Sequence, residues 1–259
     1  GDSANVGVDL FSKQITHSDI NAYLGTRVAP IFSLHSTPIQ RLRLGLTYRY
    51  EMQVNYKIPA NVDLEGIGIL GFVISGTSQY QPHTLQFGAS FDITPEFTVS
   101  LDGIYQAWSR APSPYMNVAI DLSGPTLEGL GLGSALDVSS AKQPAGFSDT
   151  FGGRLGLEAR VHERFTVRAG GSIRPTPVPR QDTEGTNLMD NTTIGAALGV
   201  SVNFPDPTGV LSRPIFVELT GQSQFILKRE ANKQPTDETP SYTYSGTLLG
   251  LMAALRYDF

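Results

Sequence analysis

Cysteine is absent, tryptophan occurs once, and no stretch of the 259 residues approaches the roughly 20 consecutive apolar residues of a membrane-spanning helix. The longest apolar stretch, Ile67 to Ser75, is far too short, so a helical membrane protein is excluded. The lack of thiols suits a periplasmic or cell-surface compartment. Basic residues are outnumbered, 19 Lys and Arg against 24 Asp and Glu, and the net charge of −5 argues against nucleic acid as a partner. Histidine occurs only at 17, 35, 83 and 162, each at a strand end or turn. No two-His metal spacing and no glycine-rich phosphate loop appears, so no catalytic, metal or cofactor site is expected. His17-Ser18-Asp19 holds the residue types of a hydrolytic triad, but adjacent residues in one turn rarely reach triad geometry, and a solvated turn is expected. Gly1-Asp2-Ser3 carries no signal peptide and is expected to be a mature or engineered start with the targeting segment removed.

What the sequence does have is alternation. From Thr84 to Ile93, Leu85, Phe87, Ala89, Phe91 and Ile93 share one face, and Thr84, Gln86, Gly88, Ser90 and Asp92 share the other. After a Thr94-Pro95-Glu96 turn the pattern resumes, with Phe97, Val99, Leu101, Gly103 and Tyr105 against Thr98, Ser100, Asp102 and Gln106. A period of two on both sides of a short turn predicts an antiparallel hairpin, apolar on one face and polar on the other. Its strands are nearly twice the usual 5 or 6 residues or so. Arg41 to Ile58 alternates most cleanly and is predicted as one strand about 55 to 60 Å long. Further alternating runs start at Asn5, Ile20, Phe151, Phe165, Thr193, Ile215 and Tyr242. Pro30 and Pro82 interrupt backbone pairing and mark breaks in the sheet.

Short connections are expected near 36–40, 94–96, 162–164 and 205–213, and long ones near 59–83, 111–148, 175–191 and 229–241. Each long strand has an apolar face of its own and no amphipathic helix is present to cover it, which leaves lipid as the covering medium. The fold class is therefore expected to be all-β: a transmembrane antiparallel up-and-down β-barrel of about ten strands (range 10–12), with short periplasmic turns and long extracellular loops. It would occupy residues 1–259 as a single domain in the bacterial outer membrane, with both termini periplasmic.

Leu255-Arg256-Tyr257-Asp258-Phe259 resembles the terminal signature by which outer-membrane barrels are recognised for assembly, and implies the barrel-assembly machinery as a partner through Phe259. Pro82 to Phe91 with Thr94-Pro95 and Gln106-Ala107-Trp108-Ser109 resembles the FadL family of outer-membrane channels for fatty acids and other hydrophobic compounds. Arg41 to Arg49, Arg154 to Glu158, and Phe165 to Gly170 followed by Pro175-Thr176-Pro177-Val178-Pro179 carry the same resemblance. It implies a fatty acid, detergent or other small hydrophobic ligand beside the outer-membrane lipids. It also implies fourteen strands and an N-terminal hatch with an Asn-Pro-Ala start; this sequence has no Asn-Pro-Ala and no room for a hatch, so it resembles a reduced member.

With the apolar faces toward lipid, the other faces line a lumen. Arg41, Arg43, Arg49, Glu51, Asp92 and Asp102 are assigned there, as are Arg154, Glu158, Arg160, Arg168, Glu218 and Arg256. A ten-stranded barrel is only slightly wider than the eight-stranded ones that side chains fill, so these charges are expected to pair and block the centre, with Glu158 opposite Arg168. A charged solute path is the alternative. Two predicted outer loops repeat a motif, Leu64-Glu65-Gly66-Ile67-Gly68-Ile69-Leu70-Gly71 and Leu127-Glu128-Gly129-Leu130-Gly131-Leu132-Gly133. Apolar residues there, Ile67, Ile69, Leu70, Phe72, Leu127, Leu130 and Leu132, either cap the barrel or capture a hydrophobic ligand. Two functions follow: binding or passage of small hydrophobic molecules by the outer loops and wall, or a non-transporting structural barrel whose loops contact other molecules.

Overall fold

The computed structural model describes residues 4–5, 18–20, 22–26, 28–64, 68–123, 138–139, 146–180, 188–205, 214–235 and 239–257. Among them the secondary structure is β1 (Ala4–Asn5), β2 (Ser18–Ile20), β3 (Tyr23–Thr26), β4 (Ile31–Ile39), β5 (Leu42–Arg49), β6 (Met52–Leu64), β7 (Gly68–Gln81), β8 (Thr84–Thr94), β9 (Phe97–Gln106), a single turn of 3-10 helix at Trp108–Arg110, β10 (Asn117–Ser123), β11 (Val138–Ser139), β12 (Thr150–His162), β13 (Phe165–Arg174), β14 (Thr193–Phe204), β15 (Ile215–Ala231) and β16 (Tyr242–Tyr257). The fold is all-β, and every pairing is antiparallel.

The chain divides into two compact units. One comprises Gly1–Pro30, Tyr50–Pro82 and Arg110–Ala145. Its sheet runs β1-β2-β6-β7-β10-β11, with β3 also on β6. The other comprises Ile31–Arg49, His83–Ser109 and Gly146–Phe259, and its nine strands run β16-β15-β14-β13-β12-β9-β8-β5-β4.

Two expectations change here. The alternating run from Arg41 to Ile58 is two strands rather than one: the ladder between β5 and β8 stops at Arg49↔Thr84, and the one between β6 and β7 starts at Met52↔Gln81. The cause lies in the neighbouring prolines. Tyr50 donates its N–H to the carbonyl of Pro30 (3.0 Å), and fully buried Pro82, which has no N–H, precedes β8. Where a long loop is expected near 59–83, residues 59–64 and 68–81 instead pair with each other in β6 and β7, and β10 continues that sheet where a second long loop is expected.

The nine-stranded sheet reverses the burial of a soluble protein. On β14, Ile194 is 41% and Leu198 70% exposed, while Thr193 is 9% and Ser201 4% exposed. Leu85, Phe87, Leu101, Phe151, Leu155, Leu157 and Val167 are likewise exposed. Among the described residues the buried hydrophobic ones are Ala60, Ala107, Val178 and Ala231, none larger than valine. Leaving a large apolar side chain in water forgoes about 1.5–3 kcal/mol, so a sheet presenting so many needs an apolar surrounding. From Phe151 to Val161 the exposed face of β12 measures about 33 Å along the strand, which at a tilt of about 40° becomes about 25 Å, the height of a barrel's lipid-facing band. Eight antiparallel steps separate β4 from β16, so the two edge strands run in the same direction. All-antiparallel closure therefore needs an odd number of further strands.

Close cross-strand packing fixes two glycines. A Cβ on Gly103 would collide with the ring of Phe87 directly across the ladder, and one on Gly88 would stand 2.5 Å from the Asp102 carboxylate. Gly103 lets the apolar face close over itself, and Gly88 lets an acid lie flat on the polar face.

Candidate functional site

The polar face of the nine-stranded sheet is built from the alternate residues of each strand, and near the short turns its charges pair. Arg43 on β5 donates two parallel hydrogen bonds to Asp92 on β8 (2.6 and 2.9 Å) and a third to Ser90 (3.2 Å). Thr98 on β9 donates to the same carboxylate at 2.7 Å. Thr98 faces Glu158 on β12, and Glu158 faces Arg168 on β13, which binds it at 2.7 Å. Arg168 also reaches Glu218 on β15 at 3.4 Å, and the Glu218 carboxylate takes Ser201 of β14 at 3.4 Å and Arg256 of β16 at 3.8 Å. Arg256 lies over the Phe216 ring, 4.5 Å from its centre. A belt of charged groups thus crosses from β5 to β16, bonded in two groups, Arg43–Asp92–Thr98 and Glu158–Arg168–Glu218–Arg256, that meet where Thr98 faces Glu158. Its side chains remain 25 to 49% exposed, so each link is a solvated pair of modest strength.

The other assigned lumen residues separate from this belt. Arg41 lies in the turn before β5, where its carbonyl accepts the Asp92 N–H at 2.9 Å. Glu51 falls in the β5–β6 break and accepts from the Tyr80 hydroxyl at 3.4 Å, within the other unit. Arg160 donates its backbone N–H to Glu96, at 2.8 Å. Asp102 stands directly across from Arg154, yet the two form no ion pair.

Toward the far ends of the same strands, Arg49, Thr84, Gln106 and Thr150 form a row of direct register partners on β5, β8, β9 and β12. From Asp92 to Thr84 the rise is eight residues, about 26 Å. Here the sheet face encloses a cavity of about 350 Å³, lined by Arg49, Arg154 and Arg174 together with Gln86, Gln106 and Gln224. Thr84, Thr150 and Thr193 in its wall are buried. Arg174 is neutralised by Asp190 (2.9 Å), but the Nε of Arg49 is shielded from solvent without an acceptor.

Sequence reasoning missed the groups that anchor the proline segment beside this cavity. Asp190 also accepts from the Thr176 hydroxyl at 2.7 Å, and Arg229 donates to the carbonyls of Asp190 (2.8 Å), Val178 (2.9 Å) and Pro179. Asn191, 3% exposed, donates to the carbonyls of Leu227 and Tyr244. Both acidic and amide anchors lie outside alternating runs, and Arg229 follows a register shift in β15, so period gave no signal for them. Among the histidines, the His83 ring pairs with the Tyr48 hydroxyl at 2.8 Å and His162 accepts the Arg164 backbone N–H at 3.2 Å.

Of the expected ligand residues, Ile69, Leu70 and Phe72 lie on β7, in a strand rather than a loop; Phe72 stands between Ala60 of β6 and Ile120 of β10. Ile67, Leu127, Leu130 and Leu132 lie outside the described residues, as does Phe259. The β6–β7–β10 sheet also bears a cleft of about 290 Å³ lined by Tyr56, Ser75, Thr77, Pro112, Tyr115 and Met116.

No protein-family model and no curated protein matches the sequence. Several solved structures are similar in backbone, three of them as follows. The CymD monoaromatic hydrocarbon channel shares 17% identity and a TM-score of 0.46 over 76% of this chain and 46% of its own. A Pseudomonas aeruginosa FadL homologue shares 10% and 0.49 over 98% and 72%, and the Pseudomonas putida toluene transporter TodX shares 14% and 0.48 over 92% and 52%. The chain thus spans about half the length of CymD and of TodX.

Proposed function

We propose that this chain is an outer-membrane β-barrel of the FadL kind that binds or passes small hydrophobic molecules, with the nine-stranded sheet as lipid-facing wall. The observation carrying this reading is the inverted burial of that sheet, apolar residues out and polar residues sheltered. In this reading outer-membrane lipid covers Leu155, Leu198 and their neighbours, the termini are periplasmic, and the assembly machinery takes the terminal strand ending at Phe259. Hydrophobic ligand is taken up by Ile69, Leu70 and Phe72 on β7 and the Tyr56–Met116 cleft, together with Ile67, Leu127, Leu130 and Leu132. The chain performs no catalysis in this account.

The test is fluorescence of a hydrophobic dye, 1-N-phenylnaphthylamine, with the detergent-purified protein. Binding by the wild type that is lost in Leu70→Asp, Phe72→Asp and in Leu130→Asp, Leu132→Asp variants supports capture. Equal binding by all three proteins counts against it.

The charge belt favours a second reading, a non-transporting structural barrel, because paired long side chains across the strands obstruct a lumen. Conductance across liposome membranes separates the two. Large, steady channels would overturn the belt as a plug.

A further inference from the structure

We propose that the cavity between Arg49 and Arg154 is a binding site for a small oxyanion, a carboxylate or phosphate group held by two guanidinium forks. Three arginines line it, and only Arg174 has an acid, Asp190, bonded to it. Among the described residues neither Arg49 nor Arg154 has an ion pair or a side-chain hydrogen bond. The acid directly across from Arg154 is Asp102, whose carboxylate instead lies against Gly88 on β8. Two positive charges are therefore left in a partly enclosed space without a bonded counter-charge. Arg49 sharpens this, because its Nε is sealed from water with no acceptor, and a buried donor is stable only when something accepts from it.

The rest of the lining matches an oxygen-rich anion. Guanidinium presents paired N–H groups that fit the two oxygens of a carboxylate or phosphate. The side-chain amides of Gln86, Gln106 and Gln224 and the hydroxyls of Thr84, Thr150 and Thr193 add neutral donors around the same space. Among the described residues, no carboxylate lines the cavity to repel an anion. At about 350 Å³ it has room for a small organic acid as well as for inorganic phosphate. This site lies on the nine-stranded sheet and stands or falls separately from hydrophobic capture on β6, β7 and β10.

The full chain, folded in detergent and confirmed by its mobility on unheated gels, is titrated calorimetrically with sodium phosphate and with sodium benzoate at constant ionic strength. Saturable binding of at least one probe is expected, weakened about tenfold or more by Arg49→Gln and by Arg154→Gln and unchanged by Arg160→Gln. Phosphate alone assigns the site to a phosphoryl group, benzoate alone to an organic carboxylate, and both to the shared oxyanion chemistry. Because a variant can fail to fold, the wild type is also modified with phenylglyoxal and mapped by peptide mass. The bound probe should protect Arg49 and Arg154 but not Arg160. Absence of saturable binding, equal weakening by Arg160→Gln, or no selective protection overturns the proposal.

Discussion

The two ends of one sheet face treat the same residue types in opposite ways. Near the short turns, Arg43, Asp92, Glu158, Arg168, Glu218 and Arg256 sit within one or two positions of register partners of opposite sign and bond into a belt. Farther along the same strands, about 20 Å from Arg43 to Arg49 and about 13 Å from Glu158 to Arg154, Arg49 has Thr84 across the ladder and Arg154 has Ser172 and an unbonded Asp102, and a cavity remains. The belt satisfies itself, whereas the cavity leaves guanidinium donors open. The difference teaches that charge on the polar face of a strand says little until its bonded partners are known: paired, it is structure, and unpaired, it is available for chemistry.

The largest expected effect sets the scale from outside that face. Leu155→Arg places a charge on the exposed apolar side of β12 and should cost about 2–4 kcal/mol in urea unfolding from lipid vesicles, provided lipid covers that side. A cost below about 0.5 kcal/mol would mean that water, not lipid, meets Leu155. Next comes the belt. Arg168→Ala removes a residue bonded to both Glu158 and Glu218, and the same assay should register a loss of about 1 kcal/mol, discounted for the partial exposure of all three. A double-mutant cycle with Glu158→Ala should return a coupling near 0.5 kcal/mol. Zero coupling would dissolve the belt into independent surface charges. Smallest is Arg154→Ala in the cavity, which removes no bonded partner and should change stability by less than about 0.5 kcal/mol. A loss equal to that of Arg168→Ala would erase the distinction between belt and cavity. Conductance gives an independent check: the Asp92→Ala, Glu158→Ala, Arg168→Ala variant should raise the liposome current, while Arg154→Ala should mainly reduce preference for anions over cations.

Much of the wall was legible from period alone. Leu85, Phe87 and Phe91 on one side and Gln86, Ser90 and Asp92 on the other need only the two-residue repeat of a strand. That Glu158 and Arg168 share the polar face of two strands joined by a short turn could also be read, whereas their direct opposition depends on a bulge between Arg160 and His162 that period does not reveal. The anchors Asp190, Asn191 and Arg229 were not legible, since they act from irregular segments and after a register shift. Nor was the end of β5 at Arg49, because Tyr50 to Ile58 continues the alternation without a flaw. Only Pro30 and Pro82, which border the neighbouring strands, mark the place.

The sequence by itself therefore determined that the chain is all-β and which side of each strand is apolar, because side-chain direction along an extended strand is a local property. Tertiary structure decided which charges meet. Arg43 finds Asp92 while Arg154, directly across from Asp102, does not bond it, and the long Arg41 to Ile58 run is divided between two sheets. Those outcomes depend on ladder register, on bulges, and on prolines in neighbouring strands that withhold a hydrogen-bond donor, none of which is carried by the residues that alternate.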